Sequence, residues 1–254
     1  MTFEYNFTGT KFLVTGAGRG IGRAIVTELH KKRAIVYALS KNSNNLTTLK
    51  EECPQIITIC ADLSNLEQTK SAVESIEAVD CLINNAGVIE PADFLGISQE
   101  QFDKQFNVNL KAVVFLSQLV VKKMIAVGNG GSIVNMSSVC SQRPMRNSGI
   151  YSCTKAALDM LTKTMALELG VHKIRVNSLN PGLVNTDMTN HESYQKQNPE
   201  DMEKAMQQVI DRTPTQTLFM PMSDVVNATL FLASNQTSQI TGQCLAVDGG
   251  YSAN

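Results

Sequence analysis

Short apolar runs alternate along this chain with helix-length polar or amphipathic segments, and that rhythm limits the fold more than any other feature. Lys11 to Thr15 (KFLVT), Ala34 to Leu39 (AIVYAL), Ile56 to Ala61 (IITICA) and Asp80 to Asn84 (DCLIN) are four such runs. Gly131 to Met136 (GSIVNM), Lys173 to Leu179 (KIRVNSL) and Gln243 to Val247 (QCLAV) complete the strand candidates. Between them, Ile21 to His30 carries Ile21, Ala24, Ile25 and Leu29 at helical spacing. Asn44 to Glu52, Leu66 to Ile76, Gln99 to Val127 with a break near Asn107, and Ser152 to Leu169 are the other helix candidates. Apolar strands separated by helices predict a parallel sheet covered on both faces. No Pro/Gly/Ser linker interrupts the alternation, so residues 1–254 read as a single doubly wound α/β domain.

Composition narrows the function classes. At 254 residues and 43% hydrophobic the chain can bury a large core. The 22 Lys and Arg against 23 Asp and Glu give a charge of −1, which argues against a phosphate-backbone binder, so no nucleic-acid partner is expected. The greasiest stretch, Ala112 to Val121, is interrupted by Ser117 and Gln118. It falls short of the ~20 residues of a membrane helix, so no membrane partner is expected either. Met1 to Lys11 predicts no signal peptide, and six scattered cysteines without a CxxC pair suit reduced thiols. A cytoplasmic protein is expected. His30, His172 and His191 lack ligand spacing, and HESYQ at His191 to Gln195 lacks the second histidine of a zinc helix, so no metal is expected.

One region loses the rhythm. From Thr186 to Met222 the periodicity is poor, prolines punctuate the segment, and Met188, Met202, Met206, Met220 and Met222 fall in it. Long irregular segments are often functional, and methionine suits surfaces that repack. A substrate lid at about 186–222 is the expectation, with an ordinary helical insertion whose methionines fill the core as its rival.

The first apolar run ends in TGAGRGIG, Thr15 to Gly22. The G-x-G-x-x-G spacing is not met; Gly16, Gly20 and Gly22 form G-x-x-x-G-x-G. Glycines here permit a tight turn from strand to helix and close approach of a pyrophosphate to the helix N-terminus. A site for NAD would place an acid near the end of the second strand, where this chain has Ser40 and Lys41. With Arg19 in the turn, Lys41 would attract a 2′-phosphate, which favours NADP(H). Solvated surface charges are the alternative.

Tyr151 and Lys155 in YSCTK are four residues apart at the start of a helix candidate, so they stack on one face. There an ammonium lowers the pKa of a phenol from about 10 by stabilising the phenolate. The pair gains meaning from its company: TGAGRGIG, NNAG at Asn84 to Gly87, NVN at Asn107 to Asn109, Ser138 thirteen residues before Tyr151, and NPG at Asn180 to Gly182. With these motifs in this order the chain resembles the short-chain dehydrogenase/reductase family over nearly its full length. CSQR at Cys140 to Arg143 and the stretch Ala157 to Pro181 are most similar to the tetrameric carbonyl reductases, a group that includes the L-xylulose (dicarbonyl) reductases.

The resemblance implies a Rossmann fold with a seven-stranded parallel sheet, a homotetramer, and the following roles. Tyr151 would be the general acid for a carbonyl oxygen as hydride arrives from nicotinamide. Lys155 would bind the nicotinamide ribose and depress the tyrosine pKa, and Ser138, with Ser137 as its neighbouring competitor, would hold the substrate oxygen. Asn109 would shape a helix break and hold a water that relays protons to Lys155. Gly16, Arg19, Gly20 and Ile21 would line the pyrophosphate, Ser40 and Lys41 would meet the 2′-phosphate, and Asp62 and Leu63 would flank adenine. Asn85, Ala86 and Gly87 would pass beneath the adenosine ribose, while Pro181, Gly182, Val184 and Thr186 would approach the carboxamide. The alternative for Asp62 is the N-cap of the Asn65 to Ile76 helix or a turn residue.

Departures from the resemblance bear on the substrate. L-xylulose reductases carry a histidine three residues before the tyrosine, where this chain has Ser148; Arg146 and Asn147 adjoin it. Asn147 and Ser148 join Ser138 and Tyr151 as expected substrate contacts. Arg33 stands where relatives often have glycine, so the first helix is expected to end differently. The implied activity is NADPH-dependent reduction of small polar ketones, α-dicarbonyls or pentuloses. Its rivals are reduction of lipophilic ketones, quinones or steroids, and an inactive binding scaffold, against which the intact Ser138, Tyr151, Lys155 and Asn109 set argues.

Overall fold

The computed structural model describes residues 5–189 and 199–253. Seven strands form one parallel sheet: β1 (Lys11–Thr15), β2 (Ile35–Ser40), β3 (Ile57–Cys60), β4 (Cys81–Asn84), β5 (Gly131–Met136), β6 (Ile174–Pro181) and β7 (Cys244–Val247). Their order is β3-β2-β1-β4-β5-β6-β7. Each strand sits within two residues of its expected position. Alternate side chains of β1 enter opposite layers, as a period of two requires. Phe12 and Val14 pack with α1 (Gly20–Lys31), α2 (Ser43–Glu52) and the helix Met222–Ala233, whereas Leu13 packs with α3 (Leu66–Glu74) and α5 (Ala112–Val127). The sheet is thus covered on both faces, a Rossmann arrangement. The order reverses between β1 and β4, and ligands of such sheets bind at the strand ends beside that reversal.

Three local findings refine the sequence reading. First, the expected break near Asn107 is a π-turn. Between α4 (Gln99–Phe106) and α5, residues Asn107–Lys111 widen the helix, and the Ala112 amide donates to the Asn107 carbonyl five residues back. Second, α1 ends as it would with glycine, which corrects the expectation from Arg33. The Arg33 amide donates to the His30 carbonyl at 3.0 Å and the Ala34 amide to the Leu29 carbonyl at 3.1 Å, a Schellman closure that forces Arg33 to φ 59°. An arginine holds the left-handed position at a strain of about 1 kcal/mol.

Third, part of the irregular segment is a regular helix. Helix α7 (Pro199–Arg212) is amphipathic, which corrects the reading of poor periodicity; residues 190–198, His191 among them, lie outside the described residues. The methionines divide: Met220 is buried in the core and Met222 packs against it, as the rival reading expects, whereas Met206 is exposed. Chain order then gives α8 (Met222–Ala233), a helix the sequence rhythm does not announce because it is apolar nearly all round. Among the described residues no helix is long and apolar enough to cross a membrane, no group of three or more potential ligands could hold a metal ion, and the six thiols are unpaired.

Candidate active site

Helix α6 (Gly149–Leu169) carries Tyr151 and Lys155 one turn apart, both buried, with Lys155 only 3% exposed. The Lys155 Nζ stands 5.5 Å from the centroid of the Tyr151 ring and donates to the Met136 carbonyl at the end of β5, at 2.7 Å. Burial pushes the Lys155 pKa down from 10.5 to about 8, with the Asp159 carboxylate and the Cys140 thiol opposing the fall. Asp159, one turn further along α6, accepts hydrogen bonds from Ser178 Oγ (2.9 Å) and Asn180 Nδ2 (2.7 Å). The asparagine of NPG therefore holds a carboxylate behind the lysine.

The π-turn aims Asn109 into the same place. Its Nδ2 donates to the Val88 carbonyl (2.9 Å) and to Thr154 Oγ1 (3.1 Å), and its Oδ1 accepts the Val88 amide (2.8 Å). Thr154 Oγ1 donates to the Tyr151 carbonyl at 2.7 Å, which ties Asn109 to the tyrosine's own turn. A Cβ at Gly87 would lie 3.4 Å from Asn109 Oδ1 and 3.6 Å from Lys155 Nζ, so the missing side chain leaves a polar gap between the two. Ser137 donates its hydroxyl to the Lys155 carbonyl at 3.2 Å, whereas Ser138 Oγ accepts the Cys140 amide at 3.1 Å.

The glycine turn meets β4 across the reversal. Asn85 Nδ2 donates to the carbonyls of Thr15 (3.0 Å) and Gly16 (3.3 Å), and Thr15 Oγ1 accepts the amides of Asn85 and Ala86 at 3.0 Å. Gly16 has φ 63°, and its Cβ would sit 2.8 Å from Ala86 Cα; a Cβ on Gly22 would sit 2.3 Å from the Gly16 carbonyl oxygen. Glycine is required at both. The side chains of Asn42, Asn65 and Ser98 cap α2, α3 and α4, but no side chain caps α1. Its first amides remain for an anion.

At the end of β2, Ser40 is half-buried and Lys41, the next residue, is exposed. Arg19 in the turn is exposed and pairs with Asp187 at 3.3 Å. Asp62 closes a turn by accepting the Ser64 amide (2.9 Å) and hydroxyl (2.8 Å), while Asn65, not Asp62, caps α3. Burial raises the Asp62 pKa, but the Ser64 hydrogen bonds and the charge of Lys41 outweigh it and hold the carboxyl below its usual range. The Lys41 position thus has a carboxylate in electrostatic reach, which its neighbours in sequence do not reveal. Leu63 is half-buried beside Asp62.

A cavity of about 1140 Å³ opens over this floor. Ile21, Asn85, Gly87, Ser137, Ser138, Tyr151, Lys155, Pro181, Gly182, Val184 and Thr186 line it, as do Asn147 and Ser148. Gly16, Arg19, Gly20, Ser40, Lys41, Asp62, Leu63, Ala86 and the fully buried Asn109 do not line it. Ser148 is buried and donates to the Met145 carbonyl at 2.8 Å; Asn147 is exposed at φ 60°, its carbonyl accepting the Ala92 amide.

The family model described as short chain dehydrogenase matches residues 10–215. The chain is a member of the short-chain dehydrogenase/reductase family. It is an oxidoreductase by that membership. Human (Homo sapiens) L-xylulose reductase is 46% identical over 248 residues, 98% of each chain. The pig (Sus scrofa) protein named carbonyl reductase [NADPH] 2 is 44% identical over 250 residues, 98% of this chain and 99% of that one. Among solved structures, a putative NAD(P) dependent gluconate 5-dehydrogenase from Beutenbergia cavernae with bound NADP superposes with a TM-score of 0.89 at 32% identity, covering 98% of this chain and 99% of that one.

Several parts of this short-chain dehydrogenase/reductase site carry no local sequence signal. Thr154 lies inside YSCTK but takes its meaning from Asn109, 45 residues earlier. Asp159, Ser178 and Asn180 meet only because α6 packs on β6. Tyr251, near the C-terminus, is buried with Tyr151, Val139 and Cys140 and lines the cavity. The NPG motif offered a clue to Asn180; for Thr154 and Tyr251 there was none.

Proposed function

We propose that the chain is an NADPH-dependent carbonyl reductase that converts small polar ketones, α-dicarbonyls or pentuloses to alcohols. One observation carries the reading: a wholly buried lysine stands under the Tyr151 ring, beside a polar gap bounded by Asn109, at the floor of an open cavity. The relatives named L-xylulose reductase and carbonyl reductase [NADPH] 2 support the substrate class. When bound, the reduced nicotinamide supplies a hydride to the carbonyl carbon. Tyr151 gives its hydroxyl proton to the carbonyl oxygen, and the Lys155 ammonium stabilises the phenolate left behind. Ser138 holds the oxygen in line; the engagement of Ser137 with the Lys155 carbonyl favours Ser138 for this task. The gap beside Gly87 suits a water between Asn109 and Lys155, through which the proton is replaced.

The uncapped α1 amides with Gly16, Arg19, Gly20 and Ile21 hold the pyrophosphate, Asp62 and Leu63 flank adenine, and Asn85, Ala86 and Gly87 lie under the ribose. Pro181, Gly182, Val184 and Thr186 border the nicotinamide. Ser40 and Lys41 select the 2′-phosphate, a preference that the proximity of Asp62 moderates. The cavity exceeds the roughly 300–1,000 Å³ of small-ligand sites, which suits a nicotinamide and a substrate together. Residues 186–222 act as the substrate lid, supported by Met188, Met202, Met206 and Val209 lining the cavity. Those methionines also favour the second reading, a lipophilic ketone, quinone or steroid. An exposed stripe on α6, with Met160 62% and Leu167 83% accessible, supports a homotetramer, and six unpaired thiols suit the cytoplasm.

The test is NADPH oxidation with diacetyl, L-xylulose, a quinone and a steroid ketone. Turnover of the first two is expected. Turnover of the last two alone transfers the case to the second reading, and none at all makes the chain a binding scaffold.

A further inference from the structure

Charge is sorted along the wall that α7 gives to the cavity. Lys204, Gln208 and Arg212 recur at four-residue intervals on one side of the helix and line the cavity. Glu203, Gln207 and Asp211 do not line it, and Gln207 bonds Asp211 at 2.8 Å on that other side; Glu200, which begins the same row as Lys204 one turn earlier, does not line it either. Arg146 enters from the loop before α6. Among the described residues, the charged side chains lining the cavity are therefore Arg146, Lys155, Lys204 and Arg212, with no carboxylate.

Lys155 belongs to the catalytic floor. The other three line the cavity from two elements that approach each other beside Tyr151: Val209, one residue from Gln208 on α7, packs in the cluster that holds Tyr151 and Met145, and Met145 precedes Arg146. The cofactor phosphates are accounted for elsewhere, at the α1 turn and Lys41. Neither Arg146 nor Lys204 forms an ion pair among the described residues. An uncharged polyol would gain little from Arg146 and Lys204, whereas an anion would gain charge-assisted hydrogen bonds.

We infer that the substrate carries a negative group, a carboxylate or a phosphate, on the same carbon skeleton as its carbonyl, and that Arg146 and Lys204 receive it. This rests on the reductase reading and narrows it from small polar carbonyls to anionic ones. The anion takes no part in the bond changes. The carbonyl π bond opens, its carbon gains the hydride and its oxygen the Tyr151 proton, and the substrate is reduced by the two electrons that NADPH loses.

The test separates this inference from the reading beneath it. Calorimetry on the NADP⁺-saturated protein at low ionic strength compares xylitol, gluconate and sorbitol 6-phosphate, none of which needs turnover to bind. The better anion binds roughly tenfold tighter than xylitol, as one or two charge-assisted contacts give, and identifies which group is preferred. Added salt erodes the preference, because both cations are exposed. Arg146→Gln and Lys204→Gln, both surface changes that spare the core, each cut it about threefold or more, and lower the kcat/KM ratio of a keto-aldonate to L-xylulose in step. Equal binding of anion and polyol, or a preference that survives both substitutions, overturns the inference. Anion preference with no turnover of any carbonyl upholds the anion site and sinks the reductase reading instead.

Discussion

Replacing Lys155 by methionine separates the cost of burying a charge from its use. In the wild-type fold the ammonium is withdrawn from water, and its pKa falls from 10.5 to about 8. The unfolded chain therefore binds more protons than the folded one between these values, so folding stability rises with pH through that window. The penalty is fully present below about pH 8 and gone above 10.5. A difference of that size amounts to about 3 kcal/mol, of which about 2 kcal/mol is recovered between pH 7 and 10. In Lys155→Met the penalty vanishes at every pH, while the Met136 carbonyl loses its 2.7 Å donor at a cost of about 1–3 kcal/mol. The two nearly cancel at pH 7, so the variant folds with stability close to wild type. The assay is urea unfolding of cofactor-free protein at intervals from pH 7 to 10, read as the difference between the two proteins, in which the other lysines and the tyrosines apart from Tyr151 cancel, and phenolate that Lys155 stabilises at Tyr151 adds to the gain of wild type. Wild type should gain about 2 kcal/mol on the variant across the range. Parallel curves would refute the view that Lys155 is held charged against its environment.

Other substitutions probe separate parts. Gly87→Ala places a methyl in the gap between Asn109 Oδ1 and Lys155 Nζ without steric conflict, at 3.4 and 3.6 Å; stability should change by under about 1 kcal/mol while kcat falls roughly tenfold or more. A kcat equal to wild type in that variant removes the water relay. Lys41→Asp should weaken NADPH binding by roughly tenfold or more and NADH far less, measured by fluorescence titration; equal losses remove the 2′-phosphate assignment. Arg33→Gly should stabilise the fold by about 0.5–1 kcal/mol in urea, because φ 59° suits glycine, and a destabilised variant contradicts the strain at that position.

Legibility in the sequence followed the range of the forces involved. The seven strands were visible because each pairs an apolar run with a sharp polar boundary, and β5 matches its expected ends at Gly131 and Met136. Helix α7 stands in the sequence only as the rival reading of a helical insertion, because the prolines of 186–222 suggest irregularity, although an amphipathic pattern runs through Pro199–Arg212. Helix α8 was missed for the opposite reason, since Val225, Val226, Leu230 and Leu232 are all buried and leave little polar face to mark a period. Tyr151 and Lys155 could be paired by spacing on one helix. The partners that fix them, Asn109 through the π-turn and Asp159 through Asn180, depend on packing between elements far apart in the chain. The ending of α1 shows a residue preference overridden: closing hydrogen bonds at the helix end outweigh the strain at Arg33.

The central claim is that Tyr151 supplies the proton for carbonyl reduction on a site assembled independently of it. Tyr151→Phe keeps the ring and its packing with Val139, Cys140 and Tyr251 and removes only the hydroxyl. NADPH oxidation with diacetyl or L-xylulose, measured beside NADPH affinity in the same preparation, should fall by at least about 10²-fold with affinity within a few-fold of wild type. Reduction that persists near the wild-type rate with the phenylalanine in place would contradict the claim.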